Sequence, residues 1–198
     1  MAINTGRGKS ERRPTKGSVR IIGGHLRGSK LPVSDIAGLR PSADRVRETL
    51  FNWLRNDLAG ARVLDLFAGS GALGFEAISR GAKTALLLEQ HTDVVNSLRD
   101  SAQRLKLENL QVLQADALVW LQQQTILPFD LVFVDPPFDT EFAQLILGLL
   151  ASRLPTGSKV YLETALSQSL QIADSWQLLR QGQTQQVHFR LFQLQAMA

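Results

Sequence analysis

Two stretches of this 198-residue chain carry residues that could do chemistry together. The first is Asp65-Leu66-Phe67-Ala68-Gly69-Ser70-Gly71-Ala72-Leu73-Gly74. Glycines between a strand and a helix let backbone approach a ligand closely, and a helix start offers unpaired N–H groups. Gly69, Gly71 and Gly74 spell G-x-G-x-x-G, and Glu89 follows 20 residues after Gly69. That spacing matches the dinucleotide fingerprint, so an NAD-linked oxidoreductase is one reading. Asp65 argues against it, because a carboxylate at the mouth of the loop repels a pyrophosphate and suits a cationic ligand. Acids then recur at or just past the ends of successive apolar runs: Asp65, Glu89, Asp116 and Asp135. Any one strand-end acid reads equally well as a turn former or helix cap. Four in register with a glycine loop point to one site. The second stretch, Asp135-Pro136-Pro137-Phe138, has no role in hydride transfer. Its prolines stiffen a loop yet keep their carbonyls as acceptors.

These residues need a scaffold that gathers strand ends. From Arg62 onward, strand-like runs at 63–67, 84–88, 110–114, 129–134 and 159–162 alternate with helical segments at 73–80, 92–105, 118–124 and 141–150. The runs are Leu-rich or β-branched with little alternation, as in strands covered on both faces. Regular alternation predicts a parallel, doubly wound α/β sheet with right-handed crossovers, whose ligands bind at the carboxyl ends of the strands. Two last strand-like runs, 176–180 and 186–194, are separated only by Gln181 to Gln185. So short a link permits an antiparallel hairpin and no parallel crossover. The expected sheet has five parallel strands plus this C-terminal hairpin. Ahead of it, residues 18–33 read as a hairpin around Gly23-Gly24. A helix of about 14 residues follows, capped by Ser42 and burying Val46, Leu50, Phe51 and Leu54. The chain therefore divides into a disordered basic arm (1–17), a hairpin-and-helix extension (18–58) and a ligand-binding domain (59–198).

Composition narrows the functional classes. There is no cysteine, which excludes disulfides, thiolate metal sites and thiol nucleophiles. His25, His91 and His188 have no ligand spacing, so no metal is expected. No apolar run approaches a membrane span, and the N-terminus lacks the apolar stretch of a secretory signal, so a cytoplasmic protein is expected, and the sequence is consistent with a monomer. Residues 1–62 hold 13 Lys and Arg against 5 Asp and Glu, a net of +8, while the rest of the chain carries −4. A basic N-terminal third points to an anionic partner, most often nucleic acid, against the plainer reading of a solubilising tail.

The loop, the strand-end acids and the terminal hairpin together resemble the class I S-adenosylmethionine-dependent methyltransferases. That resemblance implies a Rossmann-like mixed seven-stranded sheet and S-adenosylmethionine as cofactor. Asp65, Phe67, Ala68, Gly69 and Gly71 would surround its methionine part, Glu89 would accept from the ribose hydroxyls, and Asp116 with Ala117 would meet the adenine. The pattern [Asn/Asp]-Pro-Pro-[Tyr/Phe] occurs in the adenine-N6, cytosine-N4, guanine-N2 and protein-glutamine members. It implies that Asp135, Pro136 and Phe138 are catalytic. Asp135 and the Pro136 carbonyl would bind the two hydrogens of an exocyclic amine, and Phe138 would stack on the base.

Three further stretches resemble the RsmD family of bacterial 16S rRNA guanine-N2 methyltransferases: Arg20 to Gly24 with Arg27-Gly28, Arg40 to Asn52, and Val63 to Gly74. The resemblance runs from about Ser18 to the C-terminal hairpin. It implies methylation of guanine N2, at guanine 966 of 16S rRNA in the small ribosomal subunit or its assembly intermediate. Arg12, Arg13, Lys16, Arg20, Arg27 and Lys30 would then contact rRNA phosphates. In such enzymes the Arg40 to Asn52 stretch lies near the cofactor's methionine end, within reach of Ser42 or Arg45; the plainer reading is a capped helix with a solvated Arg face. The alternatives are an amino methyltransferase on adenine-N6 of DNA or RNA or on a protein glutamine amide, the NAD-linked oxidoreductase, and a non-catalytic RNA-binding assembly factor.

Overall fold

The computed structural model describes residues 17–33, 43–136 and 140–196. Its elements run β1 (Gly17–Arg20), β2 (Lys30–Val33), α1 (Ala43–Trp53), β3 (Arg62–Asp65), α2 (Ala72–Ser79), β4 (Thr84–Glu89), α3 (Thr92–Arg104), β5 (Leu110–Gln114), α4 (Ala117–Gln123), β6 (Leu131–Val134), α5 (Thr140–Ala151), β7 (Lys159–Ala165), β8 (Trp176–Gln183) and β9 (Val187–Leu194). β1 and β2 form a separate antiparallel pair. The other strands make one seven-stranded sheet in the order β5-β4-β3-β6-β7-β9-β8. Its first five strands are parallel, and β9 enters antiparallel between β7 and β8. This is the expected mixed α/β sheet.

Two apolar layers sandwich the sheet. On one face α1, α2 and α3 bury Phe51, Phe75 and Leu98 against Val63, Phe133 and Tyr161. On the other, α4 and α5 bury Leu121, Ile146 and Leu150 against Leu64, Val132 and Leu162. The chain moves outward from β3 to β5 with helices on the first face, then returns to β6 and proceeds outward the other way with helices on the second. The order therefore reverses between β3 and β6, and such a switch point opens a crevice at the strand ends. Asp65 and Asp135 stand there.

The N-terminal extension is built into this core rather than beside it. Ile21, Leu31, Val46, Leu50, Phe51 and Leu54 belong to the first apolar layer. Glu76 of α2 is fully buried and accepts the backbone N–H of Ile22 at 2.7 Å and of Gly23 at 2.8 Å. Arg80 closes the cluster with a 2.6 Å bond to Glu76 and lies over the Phe51 ring. Arg47 donates to the Arg20 carbonyl. A Cβ at Gly24, whose φ is +75°, would overlap the Ser79 carbonyl. The Arg20-to-Gly24 stretch thus requires glycine because two backbones touch.

Several boundaries differ from the sequence expectation. β1 begins at Gly17, inside the residues assigned to the arm, and α1 has 11 residues rather than about 14. β3 stops at Asp65, which leaves Phe67 in the loop. β6 starts at Leu131, because Phe129 turns back to bond the Leu127 carbonyl. β8 runs on to Gln183, past an irregularity between Leu178 and Arg180, so the hairpin reverses at 184–186 instead of 181–185.

Candidate active site

The glycine loop is folded around a buried acid. Asp65 ends β3 with 2 % of its surface exposed, and its Oδ2 accepts the Gly74 N–H at 3.2 Å. Burial pushes its pKa up to about 7; hydrogen bonds from the Gly74 and Phe67 N–H groups pull it down, and the charge of Glu89 adds to the rise. The three glycines do different work. A Cβ at Gly71 would meet Leu98 and Phe75 at 2.6 and 2.8 Å, and one at Gly74 would meet Leu87 at 2.6 Å. Both let α2 pack tightly. Gly69 has φ +50°, and a Cβ there would have only the Phe67 carbonyl, 4.0 Å away, as a neighbour. The loop therefore presents a bare backbone to open space at Gly69 alone of the three. Ala68 beside it is buried and donates to the Leu88 carbonyl. Phe67 turns to the other face, its ring edge-on to Phe142 at 5.8 Å.

Glu89, at the end of β4, reaches this loop. Its Oε2 accepts the Gly69 N–H at 3.1 Å, and its Oε1 accepts from the His91 backbone at 2.8 Å and lies 2.9 Å from the His91 ring. Asp116 follows β5 as the exposed N-cap of α4, accepting the Val119 N–H at 2.9 Å through Oδ1. Ala117 is the buried first residue of that helix. The capping reading of Asp116 is thus correct, and the residue also stands at the same sheet edge as Asp65 and Glu89.

Asp135 follows β6 directly. Solvent reaches its side chain, yet protein crowds it at the floor of the crevice. That crowding, with the charges of Glu163 and Asp65, holds its pKa well above the usual carboxylate range. Pro136 is buried. Phe138 lies outside the described residues, as do Ser42, Arg12, Arg13 and Lys16.

The sequence reading missed two residues on β7. Val134, the last residue of β6, pairs with Leu162, so Asp135 just past the strand follows beside Glu163, whose charge acts on it. The fully buried Tyr161 donates its hydroxyl to Glu163 Oε1 at 2.6 Å. Burial raises the pKa of Glu163, and the Tyr161 bond opposes the rise. Burial and the adjacent Glu163 carboxylate drive the Tyr161 phenol well above its ordinary value. Among the described residues, neither Asp135 nor Glu163 has a salt-bridge partner. Nor do the described residues hold any group of acids and histidines suited to a metal, or a helix long and apolar enough to cross a membrane.

The basic residues lie elsewhere. Arg20, Arg27 and Lys30 are exposed on the β1–β2 hairpin. Arg45 lines a groove of about 920 Å³ between α1 and the β8–β9 tip, with Thr49, Trp53, Gln183 and Gln185. Trp53 stacks on Phe189 in its floor at 5.4 Å. The groove opens at the strand-end edge, because Val187 pairs with Ala165 at the end of β7.

Comparison with known proteins agrees over nearly the full chain. Residues 19–193 match the family model described as Conserved hypothetical protein 95. Ribosomal RNA small subunit methyltransferase D of Haemophilus influenzae is 44% identical over 183 residues, covering 90% of this chain and 95% of that protein. Its Escherichia coli K12 counterpart is 43% identical, covering 91% and 92%. The solved structure of Escherichia coli yhhF superposes with a TM-score of 0.83 at 42% identity, covering 91% of this chain and all of that one.

Proposed function

This chain belongs to the Conserved hypothetical protein 95 family, and from that premise we propose that it methylates the exocyclic N2 of guanine 966 in 16S rRNA, within the small ribosomal subunit or its assembly intermediate. It is an S-adenosylmethionine-dependent methyltransferase acting on small-subunit ribosomal RNA. Transfer to an exocyclic amine is carried by one observation: an acid just past the end of β6 stands beside a glycine loop at the sheet's switch point, followed by Pro136, while guanine 966 rests on the family resemblance.

The site fits the cofactor. Gly69 presents backbone with no side chain to open space, and Glu89 and Asp116 offer carboxylate oxygens along the same edge for ribose hydroxyls and an adenine amine. Asp65 shapes the loop from beneath through the Gly74 and Phe67 N–H groups, and its carboxyl suits a cationic neighbour above. The bound cofactor supplies an electrophilic methyl group on a sulfonium.

The chain's own residues prepare the nucleophile. The lone pair of a guanine N2 is delocalised into the ring and attacks poorly. Asp135 accepts one N2 hydrogen and the Pro136 carbonyl the other, which favours a pyramidal nitrogen with its lone pair directed at the methyl. Positioning of this kind supplies much of the acceleration. As the N–C bond forms and the methyl–sulfur bond breaks, its electron pair going to a neutral thioether, the nitrogen becomes acidic and its proton passes to the Asp135 carboxylate. The raised proton affinity of Asp135 suits it to that role. Phe138 stacks on the base. The guanine leaves its own stack to reach this floor, at a cost of a few kcal/mol, less for a loop nucleotide. Arg20, Arg27 and Lys30 on the hairpin, with Arg12, Arg13 and Lys16 before it, supply salt-dependent phosphate contacts. The groove beneath Arg45 takes flanking rRNA. The protein works as a monomer in the cytoplasm.

The test is incubation with labelled S-adenosylmethionine and, in parallel, unmethylated small subunits, naked 16S rRNA and DNA. Products are digested to nucleosides and identified by mass, and the label is mapped to a ribonuclease fragment. N2-methylguanosine at position 966 is expected from the subunits. N6-methyladenosine, or label in DNA, would overturn the guanine assignment.

A further inference from the structure

We propose that Glu163 is the residue that selects guanine: its carboxylate accepts the ring N1–H while Asp135 accepts the neighbouring N2–H. The inference rests on the guanine-N2 reading above and adds the group that distinguishes this acceptor from other amines.

Placement comes first. β6 and β7 are adjacent parallel strands whose pairing ends with Val134 opposite Leu162, so Asp135, one residue past that pair, follows beside Glu163 and feels its charge. Tyr161 and Glu163 share one face of β7, and the Tyr161 hydroxyl holds Glu163 Oε1 at 2.6 Å. The Tyr161 ring is itself wedged edge-on against Phe133 at 6.3 Å. Glu163 is therefore a carboxylate with a fixed anchor on one oxygen, standing next to the acid that receives the amine.

Chemistry supplies the selectivity. Among the described residues no cation lies between these two acids, so N–H donors from a ligand would relieve the repulsion of the paired carboxylates. Binding an exocyclic amine alone needs only one of them. Guanine presents N1–H and N2–H₂ as neighbouring donors on one edge, and so meets both. Adenine places the acceptor N1 beside its N6 amine, and cytosine places the acceptor N3 beside its N4 amine. Against Glu163 each of these would set a lone pair on a carboxylate. A glutamine amide offers its NH₂ beside a carbonyl, with the same conflict. A buried polar group built for a hydrogen bond discriminates strongly against a ligand that lacks it. Asp135 and Pro136 thus make a site for amines, and Glu163 makes it a site for guanine. No covalent step is added: Glu163 keeps its N1–H bond while the N2 proton goes to Asp135.

The experiment uses the whole protein and small subunits carrying either guanine or 2-aminopurine at the target position. 2-Aminopurine keeps the N2 amine but has an acceptor at N1. Wild type is expected to prefer guanine by ~100-fold or more in kcat/KM. Glu163→Gln should lose ~10- to 100-fold on guanine yet lose nothing on 2-aminopurine, because the Gln amide can donate to its N1. Glu163→Ala should lose the preference without that gain. Binding of S-adenosylhomocysteine by each variant, expected unchanged, reports an intact cofactor site. Equal losses by Glu163→Gln on both substrates, or a wild type indifferent to the two bases, would overturn the assignment. A wild type that leaves guanine unmethylated would overturn the guanine-N2 reading itself, and this inference with it.

Discussion

Replacing Asp65 with Asn should change how stability depends on pH, by an amount set by the glycine loop. The Asp65 carboxyl is 2 % exposed, and burial raises its pKa from 3.8 to about 7 despite two backbone N–H bonds. A folded value above the unfolded one means that its stabilising contribution is fully present below pH 3.8 and lost as pH rises through about 7. The full difference is about 4 kcal/mol, of which roughly 2–3 kcal/mol falls between pH 5 and pH 8.5. Urea unfolding of the cofactor-free protein at several pH values gives the curve. Subtracting the Asp65→Asn curve removes the titration of every other group. The wild type should lose roughly 2–3 kcal/mol relative to the variant as pH rises across that window. A constant difference would show that Asp65 ionises at an ordinary pKa, and the account of the loop as folded over a nearly neutral acid would fail. The same acid links to ligand binding. A cationic ligand above Asp65 pulls its pKa back down, so calorimetry near neutral pH should find a proton released on cofactor binding by the wild type and less release by the variant.

Three other predictions test separate parts of the site. Glu76→Ala strips the Ile22 and Gly23 N–H groups of their acceptor and leaves Arg80 unpaired, which should cost about 3–5 kcal/mol in urea unfolding and speed proteolysis within residues 17–33; a cost under about 1 kcal/mol would mean that the hairpin is held by its apolar contacts alone. Gly69→Ala should cost roughly 1–2 kcal/mol for its φ of +50° and weaken S-adenosylhomocysteine binding at least ~10-fold. Gly71→Ala, forced onto Leu98 and Phe75, should lose more stability than Gly69→Ala, and wild-type ligand affinity in Gly69→Ala would take Gly69 out of the cofactor's path. Arg45→Glu should raise KM for small subunits and reduce the slope of log KM against log salt by about 1, with cofactor affinity unchanged; loss of cofactor affinity instead would place Arg45 at the methionine end.

The sheet was legible because its strands are short apolar runs separated by helices of ordinary length, and chain order then constrains topology through crossover handedness. The terminal hairpin was legible for a simpler reason, since so few residues between 180 and 186 cannot carry a chain back along a sheet. The misplaced edges have local causes. Phe67 and Phe129 continue the apolar runs of Val63 and Leu131 in sequence. Their burial comes from α5 and from the sheet's rim, and no apolar count separates a strand residue from a loop residue packed beside it. The Arg20-to-Gly24 stretch was recognisable as a pattern before its cause was visible. That cause is a buried carboxylate far along the chain, Glu76, which a run of α2 residues gives no reason to single out.

Glu163 was hidden for a related reason. The apolar run that marks this strand in the sequence ends at Leu162, whereas β7 continues to Ala165 and takes Glu163 with it. Nothing in Lys159 to Ala165 says that Glu163 faces Asp135 rather than bulk water. The link is supplied by register: β7 lies next to β6 only because the chain order reverses at the switch point, and the Val134–Leu162 pair then fixes which residues of the two strands become neighbours. A shift of one residue in that pairing would turn Glu163 to the other face of the sheet. The glycine loop and the Asp135 turn state their chemistry locally, through residue types that backbone geometry demands. The choice of base depends on a second carboxylate that only tertiary structure brings beside the first, so an amine-binding site was visible in the sequence before its fit to guanine was.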